Sequence, residues 1–268
     1  MNSVAWYFIL VLLIGGLGYA PWVLHSYGMF PSDIFFIFIL IGGASPTFAA
    51  LIVSRLEFGK KGPEYLFSQF GRRDFSKLWF LVPILLSFIK AIFTVLLWSL
   101  MGGSYKLDWK SLIEFPIILF SNFLANMWEE IGWRGYALPA LQRKYNALVS
   151  SLIIGIFWAV WHWPHFAIKD SVMMANYHNF LIFTIITILG SIQHTWLYNS
   201  TNGSLLIASL YHASINTVNT IFFVKGGISS IIIPFYLPIT AVITILIILI
   251  LKPDSLRRKP RVTFKQPS

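Results

Sequence analysis

Residues 115–137 read FPIILFSNFLANMWEEIGWRGYA, an apolar run long enough to cross a bilayer that nevertheless carries Glu129, Glu130 and Arg134. About twenty apolar residues in an α-helix cover a hydrocarbon core of roughly 30 Å. Comparable runs recur along the 268-residue chain and predict about eight spanning helices, near 4–24, 31–54, 78–101, 113–137, 146–166, 179–198, 204–223 and 229–251. The breaks between them carry turn chemistry, as in Gly102-Gly103, Asn199–Gly203 and Gly226-Gly227. Only 11% of the residues are charged and 57% are apolar, whereas a soluble domain carries about a quarter charged residues. The predicted fold class is therefore all-α: a polytopic, multi-pass membrane bundle over 1–251 with a motif core near 115–222, followed by a basic tail, 252–268. The first run starts at Val4 with no basic segment before it, so it reads as a spanning helix and not a cleaved signal. Asp33, at the start of the second run, reads as a helix cap.

The formal charge of +10 would suggest nucleic-acid binding in a soluble protein. Here its distribution explains it better. Arg55, Lys60, Lys61, Arg72, Arg73 and Lys77 share the segment 55–77, Arg143 and Lys144 follow the fourth run, and Lys252, Arg257, Arg258, Lys259, Arg261 and Lys265 lie in the tail. The alternate loops hold only Lys106, Lys110, Lys169 and Lys225. An excess of Lys and Arg marks the cytoplasmic side, which places both termini there. The tail reads as a solvated segment touching anionic lipid, and no nucleic-acid partner is implied. The absence of cysteine excludes disulfides, thiolate nucleophiles and thiolate zinc sites.

Ionisable residues inside spans are costly and face the bundle interior or a water-filled cavity. Glu130 and Arg134 stand four apart and can pair on one helical face; Glu129 is left without a local cation. Asn122, Asn126, Glu129, Glu130 and Trp133 recur at three- and four-residue steps, which makes a polar stripe. The fifth run contributes Trp158 and, one turn later, His162, with Pro164 placed to end or kink the helix just beyond. The seventh contributes His212 and Asn216, again one turn apart and on the same face. Gln193 and His194 read as polar contacts between helices, and His165, His25 and His178 as residues without a catalytic case. Counting about 1.5 Å per residue from the shared turn near 142–146 puts Glu129 and His162 level with each other.

A free carboxylate, two imidazoles and an amide suit hydrolysis of an amide by activated water. Glu129 would serve as general base, His162 would hold the water, and His212 with Asn216 would donate hydrogen bonds to the oxyanion. The same Glu129, His162 and His212 could instead bind zinc with one position open to water. Neither a His-Glu-x-x-His motif nor a Gly-x-Ser-x-Gly elbow is present.

Glu129-Glu130-x-x-x-Arg134 resembles the Glu-Glu-x-x-x-Arg motif of the CAAX prenyl protease and bacteriocin-processing family of intramembrane endopeptidases. Trp158-Ala-Val-Trp-His162 is similar to that family's Phe-x-x-x-His motif, with tryptophan in the phenylalanine slot, and His212-Ala-Ser-Ile-Asn216 to its His-x-x-x-Asn motif. The resemblance implies an eight-helix membrane endopeptidase reached from the cytosolic side. Glu129 would be its base, His162 the residue that positions water, His212 and Asn216 the oxyanion site, and Glu130 and Arg134 a supporting pair. The family is often described as metalloproteases, yet its motif residues also serve a metal-free, glutamate-dependent reaction, and that is the form expected here. The implied partners are the lipid bilayer and a membrane-associated peptide or prenylated protein. The rival expectation is a non-enzymatic bundle, for immunity or transport, in which the polar cluster is structural.

Overall fold

Prolines, glycines and two changes of helical register divide the apolar runs into shorter helices. The computed structural model describes residues 3–31, 34–257 and 260–263. The predicted cap Asp33 and the tail residues Arg258, Lys259 and Lys265 lie outside them. Helix α1 spans Ser3–Ser26, and the second run is split into α2, Phe35–Gly43, and α3, Ser45–Phe58. The two meet at Ala44 with a bend of 54°. Pro46 sits in the first turn of α3, where its missing N–H costs nothing, and so starts a new helix instead of extending the old one. After α4, Lys61–Ser68, the chain enters α5, Val82–Leu100. Two short helices follow: α6, Trp109–Ile113, and α7, Phe115–Glu130. The latter continues as a π-helix over Ile131–Ala137 and closes with α8, Leu138–Leu141.

The remainder comprises α9, Ala147–Trp161; α10, Trp163–Ala167; α11, Val172–Tyr177; and α12, Phe180–Ser200. Helix α13, Leu205–Asn219, also passes into a π-helix, Thr220–Val224, before α14, Ile233–Leu251. No strand occurs among the described residues, and the fold is all-α. Among the described residues five helices are long and apolar enough to span on those grounds alone, α1, α5, α9 with α10, α12 and α14, or six if the bent α2–α3 pair counts as one span. The predicted runs 113–137 and 204–223 correspond to α7 and α13, which are shorter, are interrupted by π turns, and carry the polar motif residues.

The bundle is apolar outside and polar inside. Leu17 on α1, Leu96 on α5 and Leu249 on α14 point outward and exposed, while Thr94, Glu130, Arg134, Gln193 and Ser214 are buried. That inversion of a soluble surface is what a lipid solvent selects. Small residues permit close helix contacts: a Cβ on Gly155 would lie 2.7 Å from the Ile188 Cα, and one on Gly132 would lie 2.4 Å from the Pro46 carbonyl oxygen.

The described tail is not a free solvated segment. Arg257 donates to the Asn199 carbonyl at the end of α12, and Arg261 donates to the Gln142 carbonyl after α8 at 2.7 Å. Two guanidinium groups thus satisfy helix C-terminal carbonyls, where cations are favoured. Leu256 is fully buried, packed with Ala147 and Ile192. Arg72 reaches the Asn202 carbonyl at 3.3 Å, so the loops at 72, 142 and 199–204 converge with the tail on one end of the bundle.

Candidate active site

The register change after α7 shapes the site. Glu129 and Glu130 are its last α-helical residues, and the π-helix begins at Ile131. Single π turns are rare and recur at functional sites. The hydroxyl of Thr47 on α3 donates to the carbonyl of Trp128 at this point, and the whole π segment is buried. The backbone that carries the two carboxylates is therefore fixed from outside its own helix.

Glu130 is withdrawn from any opening. Its Oε1 accepts from Arg134 Nη1 at 2.9 Å and from His212 Nδ1 at 2.9 Å, while His194 Nε2 lies 3.8 Å away. Both Glu130 and Arg134 have no exposed side-chain surface. The face of Trp158 covers the guanidinium at 4.4 Å, a geometry that favours a desolvated cation. Glu129 points the other way. It is half-buried, and its Oε2 accepts from the Trp158 indole Nε1–H at 2.8 Å. One tryptophan thus serves both carboxylates: its edge holds Glu129, and its face lies over the partner of Glu130.

Helix α9 ends at Trp161 and α10 starts at Trp163, with Pro164 in its first turn. His162 stands at that junction, as the proline predicts. Its Nδ1 donates to the Trp158 carbonyl at 2.9 Å, because a carbonyl can only accept. The proton is thereby placed on Nδ1, and Nε2 is left as the acceptor. For His212 the same inventory places a proton on Nδ1 toward Glu130 and leaves Nε2 for the cavity.

Glu129, Trp158, His162, His194, His212 and Asn216 line one cavity of about 280 Å³ between α5, α7, α9, α12, α13 and α14. All four residues expected to act directly are brought to it; Glu130 and Arg134 lie behind its wall. His165 does not line the cavity, although its ring centroid is 5.4 Å from that of His162; it packs against Tyr19, with centroids 4.4 Å apart. Two residues of the cavity had no such role in the sequence reading. His194, read as a contact between helices, stands edge-on to Trp158 with ring centroids 5.4 Å apart. Lys90 on α5 is a lysine in the middle of an apolar run, the same kind of signal that marks Glu129.

The acid and histidine donors that approach one another are Glu130, His194 and His212, within 4.8 Å, and not Glu129, His162 and His212. Within that set Glu130 Oε1 is engaged, whereas Glu130 Oε2 and His194 Nε2 are buried without a hydrogen-bond partner. The shared Oε1 already accepts from a guanidinium and an imidazole N–H, and a zinc ligand must present a free lone pair to the metal.

The all-α bundle thus gathers a carboxylate, imidazoles and an amide around one cavity, groups that suit a hydrolase. Residues 109–218, which include all three motifs, match the family model described as Rce1-like, type II CAAX prenyl endopeptidase. CAAX prenyl protease 2 of Methanococcus maripaludis is 29% identical over 213 residues, 74% of this chain and 78% of that protein. These similarities, with the apolar spanning helices, support an integral membrane endopeptidase of the CAAX type.

Proposed function

We propose that the chain removes the C-terminal residues of a membrane-associated, prenylated CAAX-type peptide by attack of a water that Glu129 activates. The observation that carries this reading is the division of labour between adjacent carboxylates. Glu129 faces the cavity with one oxygen free of the Trp158 bond, while Glu130 is fully buried and fixed to Arg134 and His212.

In this mechanism Glu129 takes a proton from the water, and His162 Nε2 accepts the second O–H and fixes the oxygen's direction of approach. The water oxygen bonds to the scissile carbonyl carbon as the carbonyl π pair moves to oxygen. The Asn216 amide N–H and the His212 Nε2–H meet that oxyanion. His212 can donate from Nε2 while it also donates from Nδ1 only as an imidazolium, and the Glu130 carboxylate 2.9 Å away is the counter-ion for that charge. Collapse of the intermediate breaks the C–N bond, and protonated Glu129 returns its proton to the leaving amine. Positioned oxyanion donors are worth about 10²–10³ in rate, and general base catalysis about 10²–10⁴.

The test is cleavage of matched prenylated and unprenylated reporter peptides by the purified protein. Glu129→Gln should abolish turnover and leave the thermal unfolding temperature nearly unchanged. A variant that still cleaves, or cleavage of neither reporter by the wild type, would refute the proposal.

A further inference from the structure

Lys90 is the second buried cation of the bundle interior, and it lacks what Arg134 has. It is 2% exposed at the middle of α5, where an ammonium demands compensation. Its Nζ donates to Gln193 Oε1 at 3.2 Å and to the Tyr211 hydroxyl at 3.0 Å, and it lies 5.2 Å from the Tyr211 ring and 5.6 Å from the Tyr236 ring. All of these partners are neutral. Among the described residues no ion pair includes Lys90, and Glu129, the carboxylate of the same cavity, is held by the Trp158 indole instead. An ammonium has three donors, so one remains.

The amine is also held in place. Gln193 is fixed at its other end by its Nε2 bond to the Thr244 hydroxyl at 2.8 Å, and Tyr211 donates to Gln193 Oε1. The two residues that grip Lys90 are the sequence neighbours of His194 and His212, which flank Glu130. Lys90 lines the same cavity as Glu129, and the hydroxyl-bearing Tyr236 and Thr240 line it too. A fixed, uncompensated positive charge with a free donor, opening into a catalytic cavity, is a receptor for an anion.

We infer that Lys90 binds the C-terminal carboxylate of the peptide substrate and so measures the distance from the chain end to the scissile bond. This rests on the endopeptidase reading above and makes the enzyme specific for a free chain end. Lys90 and Glu129 line one cavity, so a short extended segment, at about 3.3–3.6 Å per residue, would run from a scissile carbonyl at Glu129 to a carboxylate at Lys90. An internal peptide bond offers no charge at that position. Lys90 is a specificity residue: it touches the end of the substrate and not the reacting atoms.

The experiment compares two prenylated reporters that differ only in ending as a carboxylate or a carboxamide, with the full-length protein in lipid nanodiscs. The wild type should favour the acid by about 10²-fold in kcat/KM, the range of a hydrogen bond between charged groups, with most of the difference in KM. In Lys90→Met the two reporters should be cut at equal rates, because only the acid loses its partner; Lys90→Arg should keep a preference for the acid. Equal cleavage of acid and amide by the wild type would overturn the inference while the protease reading stands, and this comparison needs no variant to fold. Retention of the preference in Lys90→Met would also overturn it. Cleavage of neither reporter would overturn the protease reading and this inference with it.

Discussion

Replacing Arg134 by methionine removes the guanidinium but keeps most of the side-chain volume, and it tests whether the buried cluster is an interdependent unit. In the wild type, Glu130 Oε1 shares two charge-assisted bonds of 2.9 Å, and neither Glu130 nor Arg134 is exposed. The substitution leaves a buried carboxylate with His212 as its remaining close partner. Removing one member of a buried ion pair costs about 3–5 kcal/mol, because the survivor's desolvation is no longer offset. At roughly 2–4 °C per kcal/mol for a chain of this size, the unfolding temperature should fall by about 6–20 °C. Adding Glu130→Gln removes the stranded charge, so the double variant should recover much of the loss even though it has lost more wild-type groups. The assay is thermal unfolding in one detergent for the wild type, both single variants and the double variant. Additive losses, or an Arg134→Met protein as stable as the wild type, would refute the idea that Arg134 compensates Glu130.

Three further outcomes are expected. Trp158→Phe keeps a ring over Arg134 and loses the bond to half-buried Glu129, where water can substitute; cleavage should fall by no more than about tenfold, whereas Trp158→Ala, which also opens a cavity worth about 3–5 kcal/mol, should be inactive and less stable. Equal rates for the two variants would contradict this. Gly155→Ala places a methyl 2.7 Å from the Ile188 Cα; overpacking against backbone, about 1–3 kcal/mol, should outweigh the helix-propensity gain of about 1 kcal/mol, and a raised unfolding temperature would show that the two helices part easily. Incubation with a strong chelator should leave cleavage unchanged, and metal analysis should find zinc well below one per chain; activity that is lost and then restored by zinc would overturn the metal-free mechanism.

Length and apolarity made the membrane bundle legible in the sequence, and the ionisable residues inside three apolar runs, together with the motif resemblance, pointed to one site containing Glu129, His162, His212 and Asn216. What escaped was information that lives between helices. The bend at Ala44 was marked by Gly42-Gly43 and Pro46, but a hydropathy run adds residues without regard to direction and so passed through it. Lys90 has its partners 103 and 121 residues away, so no local spacing revealed what holds it. His194 looked like a packing residue because its partners on α9 and α13 are equally distant in sequence. The docking of the tail depends on carbonyls at the ends of α12 and α8, and a tally of positive charge cannot distinguish a lysine that attracts lipid from an arginine that caps a helix.

The adjacency of Gln193 with His194, and of Tyr211 with His212, bears on which changes the gene can tolerate. Each helical residue turns about 100° and rises about 1.5 Å, so the members of each pair face different directions from almost the same height. Deleting or inserting one residue within α12 or α13 would rotate a histidine to where its neighbour had pointed and exchange the environments of Lys90 and Glu130 on that side. Single substitutions at the exposed positions of α12 leave that frame intact. A deep scan of variants should therefore find α12 permissive to apolar exchange at its exposed Leu181 and Ile185 and both helices closed to any change of length, with indels surviving only beyond the helix ends, as in the 199–204 turn.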